Sequence, residues 1–475
     1  MKTSSCGCGN YGPLVMNRRE MLQRAGMGFG TVALTWLLGE EGRLLADGKP
    51  VFPLKGNGKV KNVILLYMGG GPSHLDTWDP KTDLQKLHGK NVPESIAGKV
   101  PMNSRLRLNN IHASPFEFKR YGQSGIAVSD LFRETAQHVD EICVIRSMRH
   151  DSPIHSPAEY LTLTGSVLGT RPSLGSWLYY GMGSENQNLP GFIAMIAGEN
   201  FGGPAGYSAG FLPARYQGTV VKASEGIPDI EMPVGYTDGN RRAQLDLMAK
   251  LNRRHLKRHG SNSELEARIL SYEMAFCMQT AAPEAFDLKG ETEETKKLYG
   301  IDQKESAEYG TNCLLARRLL ERGVRFIQLN QGGWDAHGDL KGNHEKQARL
   351  VDRPIAGLLT DLKRRGLLQQ TLLIWGGEFG RTPTAEGGGK NPGRDHSPMG
   401  YTMWLAGGGV KGGQIIGATD DVGYTVVDRP IHPNDLQATI LHALGIDQYQ
   451  LYYEHQNRKE TLTVLGGEVI KEALA

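Results

Sequence analysis

Four short apolar runs in the chain each end at, or run into, a glycine-rich turn. Apolar runs of this length, without regular polar alternation, are typical of strands that are buried on both faces of a parallel sheet. The sequence therefore predicts an α/β fold whose mostly parallel sheet is built from residues 62–68, 324–330, 371–377 and 401–409.

Helical periodicity separates the strands. Apolar residues within 344–366 recur at the spacing of one helix face, and Gly366 ends the pattern. The stretch 324–377 is therefore expected to form a strand–helix–strand crossover, and a further helix is expected over 434–444. Helices that pack on both faces would sandwich the sheet.

The middle of the chain differs in composition. Residues 185–240 are rich in Gly, Pro and Asn and are interpreted as loops and short strands, whereas residues 241–320 have a strongly helical pattern. We predict that 185–320 is an insertion in one α/β domain that spans 50–465. The basic helical region is interpreted as a solvated helix surface, with an oligomer face as the alternative.

Composition narrows the class of protein. The 475 residues include 54 Lys and Arg against 51 Asp and Glu, so a net charge of +3 gives no reason to expect a nucleic-acid partner. With 39% hydrophobic and 22% charged residues, the chain is neither disordered nor a polytopic membrane protein. The 62 glycines, many of them clustered, indicate tight turns at strand ends.

The amino-terminal segment has the pattern of an export signal. Arg18 and Arg19 precede a mildly apolar stretch, residues 25–38, that is too short to span a bilayer comfortably. Residues 1–46 thus resemble a twin-arginine signal, which implies the twin-arginine export machinery as a partner and a location in the periplasm or cell envelope. The mature chain would keep no stable transmembrane span. A short amphipathic helix with a chance arginine pair is the alternative.

Polar side chains follow the predicted strands. The carboxyl ends of parallel strands meet at one edge of a sheet, where ligands bind, so these side chains are expected to lie close together. Carboxylates and imidazoles are ligands of divalent metals. Following three of the strands in turn, the clusters are Ser73, His74, Asp76 and Asp79; then Asp335, His337, Asp339 and His344; then Glu378, Arg381, Arg394, Asp395 and His396.

Each cluster also has a purely structural interpretation. Ser73 and Asp76 would cap a helix, and the Asp335 pair would occupy a turn. Glu378 would pair with Arg381, and the loop that holds His396 would be a mobile surface loop. The order of the clusters along the chain favours the metal site over these separate explanations.

Several segments together resemble a known family. They are NVILLYMGGGPSHLDTWDPK, HDSPIHSPAEYLTLTG, GGWDAHGD, LLIWGGEFGRTP and GRDHSPMGYTMWLAGGG, and the resemblance covers roughly residues 50–465. The family is the domain of unknown function 1501, which is placed in the alkaline phosphatase-like superfamily with sulfatases and phosphatases. The resemblance implies an alkaline phosphatase-like fold with one or two divalent ions, Zn, Mn or Ca.

The resemblance also implies roles for particular residues. Asp335, His337 and His396 match the ligands of a first metal site, and Glu378 falls where an aspartate of the second site belongs. Asp76 would substitute for an early aspartate of that second site. Phe379 stands where the second site of phosphatases has a histidine.

The remaining roles concern the reaction. Ser73 is the candidate nucleophile, with Ser152 and Ser156 as rivals, and Arg381 would hold a phosphate or sulfate group. His150 and His155 would hold the substrate anion or a metal. The function implied is an exported metal-dependent hydrolase of phosphate or sulfate esters, acting on a small molecule or a polysaccharide. The alternative is a non-catalytic binding or scaffold protein of the envelope.

Overall fold

The fold is seen in a computed structural model that describes residues 59–101, 107–186, 188–222, 237–259, 263–387 and 390–475. The predicted signal, with Arg18 and Arg19, lies outside the described residues. Among the residues that are described, no helix has both the length and the apolar character that a bilayer-spanning helix needs.

The strands and helices are numbered in chain order. The strands are β1 Asn62–Tyr67, β2 Phe118–Tyr121, β3 Ile126–Ser129, β4 Ile142–Met148, β5 Phe192–Ala197, β6 Thr219–Val221, β7 Phe326–Gln331, β8 Thr371–Gly376, β9 Gly380–Arg381, β10 His396–Ser397, β11 Tyr401–Gly407, β12 Gln414–Ile416, β13 Ala418–Thr419, β14 Val426–Asp428, β15 Tyr452–His455 and β16 Arg458–Thr461. The helices are α1 His74–Thr77, α2 Thr82–Lys86, α3 Glu94–Ala97, α4 His155–Thr164, α5 Leu174–Met182, α6 Asp238–His259, α7 Ser263–Phe286, α8 Glu293–Leu298, α9 Ala307–Glu321, α10 Leu340–Arg364 and α11 Pro433–Ala443.

Eight strands form the main sheet, in the order β12, β4, β11, β8, β1, β7, β5, β6. Strand β1 lies between β7 and β8 and is parallel to both. The two strands of the predicted strand–helix–strand unit, β7 and β8, therefore flank the first strand. The expected α/β fold class, with a large and mostly parallel sheet, is confirmed. The predicted helices over 344–366 and 434–444 correspond to α10 and α11.

Two apolar cores lie on opposite faces of the sheet. In β1, Ile64 and Leu66 belong to one core, and Val63 and Leu65 belong to the other, because successive side chains of a strand point to opposite faces. Helices α9 and α10 supply apolar side chains to the first core. Helices α4, α5 and α11 supply them to the second, so the sheet is sandwiched as expected.

Two details differ from the sequence-based expectations. Strand β11 is antiparallel to both of its neighbours, β8 and β4, because an apolar run that is buried on both faces does not encode a direction. In addition, β5 and β6 lie within the segment expected to be an insertion, yet they extend the main sheet beside β7. The helical character expected for 241–320 is confirmed by α6 to α9.

The packing of β7 predicts a stability effect. Leu329 is fully buried in the first core, so Leu329→Ala removes apolar contacts and leaves a cavity. We expect the free energy of unfolding to fall by about 2–5 kcal/mol, measured by urea denaturation. Leu465→Ala, at a leucine that is 73% exposed, is the control and should change it by less than about 0.5 kcal/mol. Equal effects of the two changes would contradict this account of the core.

Candidate metal centre

Polar side chains converge at the edge of the sheet where β1, β7 and β8 end. Asp335 and His337 follow β7, and Glu378 and Arg381 follow β8. Since β11 runs the opposite way, the residues before it reach the same edge, and His396 lies there in β10, which pairs with β9. Strand β4 is antiparallel to β11 and so ends at this edge as well, which places the start of α4 here.

Four side chains from three separate parts of the chain meet at one point. One ligand atom of each of His155, Asp335, His337 and His396 lies within 4.8 Å of the others. Asp335 Oδ1 is 3.0 Å from His337 Nε2 and 3.1 Å from His396 Nε2, and those two nitrogens are 3.0 Å apart. His155 Nε2 is 3.3 Å from Asp335 Oδ2.

The other ring nitrogen of each histidine faces an acceptor. Nδ1 of His155 is 2.6 Å from Glu378 Oε1, and Nδ1 of His337 is 2.5 Å from Glu386 Oε2. Nδ1 of His396 is 2.8 Å from the backbone carbonyl oxygen of Pro153. A carbonyl or a carboxylate accepts a proton donor, so these partners fix the hydrogen on Nδ1 and leave a lone pair on Nε2 of each neutral ring.

This arrangement fits a divalent cation. Three lone pairs and a carboxylate that point to one place repel one another unless positive charge lies between them. The Nε2 atom of His155 is buried and faces Asp335 Oδ2 at 3.3 Å, so a cation between them would contact both. Tetrahedral zinc with bonds of about 2.0–2.1 Å has ligand atoms roughly 3.3 Å apart, close to the four separations of 3.0 to 3.3 Å given above, within a group whose atoms all lie within 4.8 Å.

Electrostatics also favour positive charge at this point. Burial lowers the pKa of His155, but the carboxylates of Asp335 and Glu378 outweigh burial and raise it to about 9, so a proton on His155 supplies the positive charge when no cation is bound. Burial opposes the ionised form of Asp335, yet hydrogen bonds to His155 and His396 and the Arg381 guanidinium hold its pKa far below the usual range. Burial lowers the pKa of His396, which keeps that ring neutral and able to bind a metal.

The side chain of Arg381 is buried and forms hydrogen bonds within the protein, so it does not face solvent. It is fully buried, and its Nη2 donates to Asp335 Oδ1 at 2.5 Å and to the carbonyl oxygen of Gly70. Its Nε donates to the carbonyl oxygen of Gly71 at 2.9 Å and its Nη1 to that of Arg394 at 3.1 Å. The structure therefore assigns its hydrogen-bonding groups to the protein, whereas the sequence suggested a grip on a substrate anion.

Two positions in the loop after β1, Gly70 and Gly71, must be glycine because the loop packs closely against Asp335 and Phe379. Gly70 has φ +105°, and a Cβ atom there would lie 2.5 Å from the backbone nitrogen of Asp335. A Cβ atom at Gly71 would lie 2.8 Å from the ring of Phe379. Any larger residue at either position would push the loop away from Asp335 and from Arg381.

Ser73 and Asp76 lie outside the four-residue group. Asp76 forms an ion pair with Arg394, with Nε and Oδ2 2.7 Å apart, and both side chains are fully buried. Ser73 is also fully buried, and its hydroxyl donates to Asp76. Asp76 thus pairs with an arginine, whereas the sequence suggested that it binds a metal, and the burial of Ser73 leaves its hydroxyl no path to a substrate. The pair instead anchors the loop that carries His396.

The two histidines of the HDSPIHSP segment have different positions. His155 begins α4 and belongs to the metal-ligand group, whereas His150 is buried beside the first turns of that helix. His150 Nδ1 accepts from the backbone of Ser152, and its Nε2 is 3.0 Å from the carbonyl oxygen of Ala158. Burial lowers the pKa of His150 to about 4, so it is a neutral structural histidine.

Glu378 contacts the four-residue group through the other ring nitrogen of His155. It is fully buried and accepts hydrogen bonds from His155, the backbone of Gly70 and the Tyr67 hydroxyl. It therefore orients a ligand and does not itself belong to the four-residue group, although the sequence suggested a direct ligand. Burial and the charge of Glu378 raise the pKa of the nearby Glu159 to about 8.

Two phenylalanine rings cover part of the four-residue group, and one of its histidines is exposed to solvent. The Phe379 ring packs against His155 and His396, at centroid distances of 4.9 and 4.6 Å, and Phe201 stacks on His155 at 4.0 Å. The side chain of His337, by contrast, is 42% exposed. A small molecule or a water can therefore reach the group past His337.

Glu386 is the supporting residue that the sequence analysis missed. It lies in a glycine-rich loop, and nothing in the local pattern TAEGGGK distinguishes it from a solvated glutamate. The backbone pairing of Glu386 with Gly393 folds the loop back, and this brings the carboxylate to His337.

Comparison with known families settles which family the chain belongs to. The family described as Protein of unknown function (DUF1501) matches residues 60–474. The chain is a member of this family. A search of curated proteins gave no match.

Several solved structures are similar to this member of the family, all at low identity. The lipoteichoic acid synthase LtaP from Listeria monocytogenes is 11% identical, with a TM-score of 0.36, and the match covers 86% of this chain and 78% of the synthase chain. The PsFucS1 sulfatase from Pseudoalteromonas sp. is 14% identical, with a TM-score of 0.34 and coverage of 88% and 71%. An alkaline phosphatase from the Antarctic bacterium TAB5 is 13% identical, with a TM-score of 0.33 and coverage of 83% and 100%.

The outer carboxylates predict a graded effect on metal affinity. Glu386→Gln removes the charged acceptor that orients His337, so we expect zinc affinity to fall by about 10- to 100-fold, measured by competition with a chromophoric chelator. Glu454→Gln, at an exposed glutamate of β15, is the control and should leave affinity unchanged. An unchanged affinity in Glu386→Gln would show that the contact does not support a metal ligand.

The Asp76–Arg394 pair predicts a loss of stability in acid. Burial raises the pKa of Asp76, but Arg394 outweighs burial and brings it to about 2. Because the folded pKa is below the unfolded value, this stabilisation is complete above about pH 4 and is lost as the pH falls toward 2. We expect a loss of about 2 kcal/mol in the free energy of unfolding over that range. Asp76→Asn should lack this component, and an identical pH dependence in that variant would contradict the assignment.

Proposed function

We propose that this protein is an exported metal-dependent hydrolase of phosphate or sulfate esters, with one cation held by His155, Asp335, His337 and His396. The observation that carries the proposal is the convergence of three Nε2 atoms and one carboxylate, each histidine being oriented through its other nitrogen. Such outer contacts are typical of metal-binding histidines. The substrate would be a small molecule or a polysaccharide that carries the ester.

The donor set favours zinc among the metals considered. Three imidazoles and one carboxylate suit zinc, whereas calcium prefers six to eight oxygen ligands. When bound, a divalent cation would supply Lewis-acid polarisation of an ester oxygen and an activated water. The chain itself keeps Asp335 ionised through Arg381 and leaves the edge of His337 open to solvent.

None of the three candidate serine hydroxyls contacts the four-residue group in the described part of the chain. Ser73 donates to Asp76, Ser156 donates to the carbonyl oxygen of Phe201, and the Ser152 hydroxyl contacts the backbone of Ile154. Water is therefore the attacking group that we propose. This observation also favours a second candidate function, a non-catalytic metal-binding protein of the envelope.

Metal content and turnover separate these candidates. We expect purified protein to contain zinc by elemental analysis and to hydrolyse an aryl phosphate or an aryl sulfate. His396→Ala should lose the metal and lower turnover by more than about 100-fold, because it removes a ligand. Asp335→Asn should lose the metal while the fold is kept, as judged by circular dichroism.

The matched control is His442→Ala, at an exposed histidine near the end of α11. It should keep both metal and turnover. Metal without turnover on either ester would favour the non-catalytic candidate, and equal turnover in wild type and His396→Ala would reject the hydrolase proposal.

A further inference from the structure

The outward face of α6 combines exposed leucines with positive charge. Leu247 is 57% exposed and Leu251 is 56% exposed, and they are four residues apart, so they lie on the same face. Lys250, Arg254 and Arg258 are exposed at positions that flank or continue this face. Two large apolar side chains are thus held in solvent among cations.

The opposite face of α6 explains why this one stays outside. Leu245 and Ala249 are buried, and α6 packs against α7. Arg242 forms an ion pair with Glu273 of α7 at 2.7 Å, which fixes the rotation of α6 about its axis. The leucines therefore cannot turn inward without breaking this packing.

The charge of the outward face is one-sided. Residues 243–258 include five Lys and Arg and a single acidic residue, Asp246. Asp246 is bonded to Arg242 at 2.6 Å, and the five cations outnumber it, so this stretch of the helix keeps a net positive charge. A partner that fits this face must offer both negative charge and an apolar phase.

We propose that α6 docks this protein on an anionic lipid surface. Lipid phosphates would attract the cations, and the acyl boundary would take up Leu247 and Leu251, as for amphipathic helices that lie in a membrane interface. Nucleic acid offers no apolar phase to the leucines. A symmetric pairing with a second copy would bring identical positive faces together.

The test uses the full chain and sedimentation with lipid vesicles. We expect binding to vesicles of phosphatidylcholine with phosphatidylglycerol, and not to phosphatidylcholine alone, with binding lost at high salt. Arg254→Gln with Arg258→Gln should weaken binding by about 30-fold, since each cation near the surface contributes about fivefold. Leu247→Gln with Leu251→Gln should weaken it by at least about tenfold.

Controls remove the same groups from other places. Lys119→Gln with Arg120→Gln removes two exposed cations from β2, and Leu168→Gln with Leu465→Gln removes two exposed leucines. Both pairs should bind as the wild type does, and because the amino-terminal segment is present in every variant, any difference reports on α6. Binding that is the same in all variants, or absent from anionic vesicles, would overturn the proposal. So would light scattering that shows a dimer dissociated by the leucine changes.

Discussion

The centre depends on one buried guanidinium. Arg381 bonds to the carbonyl oxygens of the loop after β1, to the carboxylate that follows β7, and to the backbone just before His396. These segments are distant in sequence, and Arg381 contacts all of them. Without it, Asp335 would be a partly buried anion beside three histidines, and the ends of three strands would lose a shared hydrogen-bonding partner.

A second buried pair strengthens the same region. Asp76 and Arg394 bind each other, and Arg394 also donates to the carbonyl oxygens of His112 and Thr382. A buried pair of this kind adds little net stability, but the loss of either partner is costly because a charge is left without compensation. Its effect here is positional, because it fixes the loop that presents His396.

The sequence predicted four of the eight strands of the main sheet, β1, β7, β8 and β11, because these are short, apolar and bounded by glycine. It also predicted that Asp335, His337 and His396 would come together, since the carboxyl ends of parallel strands share one edge. It could not distinguish ligands from supports. Glu378 and Arg381 carry the expected charges at the expected edge. Only their burial and hydrogen bonds reveal that they hold His155 and Asp335 in place and do not themselves belong to the four-residue group.

The remaining differences have the same origin. The direction of β11 depends on how the chain returns through β9 and β10, a contact between residues that no local pattern links. Glu386 reaches His337 only because a glycine-rich loop folds back on itself. Contacts of this kind arise from tertiary structure, and a single sequence does not encode them locally.

The four candidate ligands are residues 155, 335, 337 and 396, so the proposed cation site does not exist until the sheet has assembled. An unfolded chain offers only scattered imidazoles and binds ions weakly. Any ion that occupies the centre will therefore draw the folding equilibrium toward the native state, by an amount that grows with the free ion concentration. Chelation should then lower the melting temperature without any change in covalent structure.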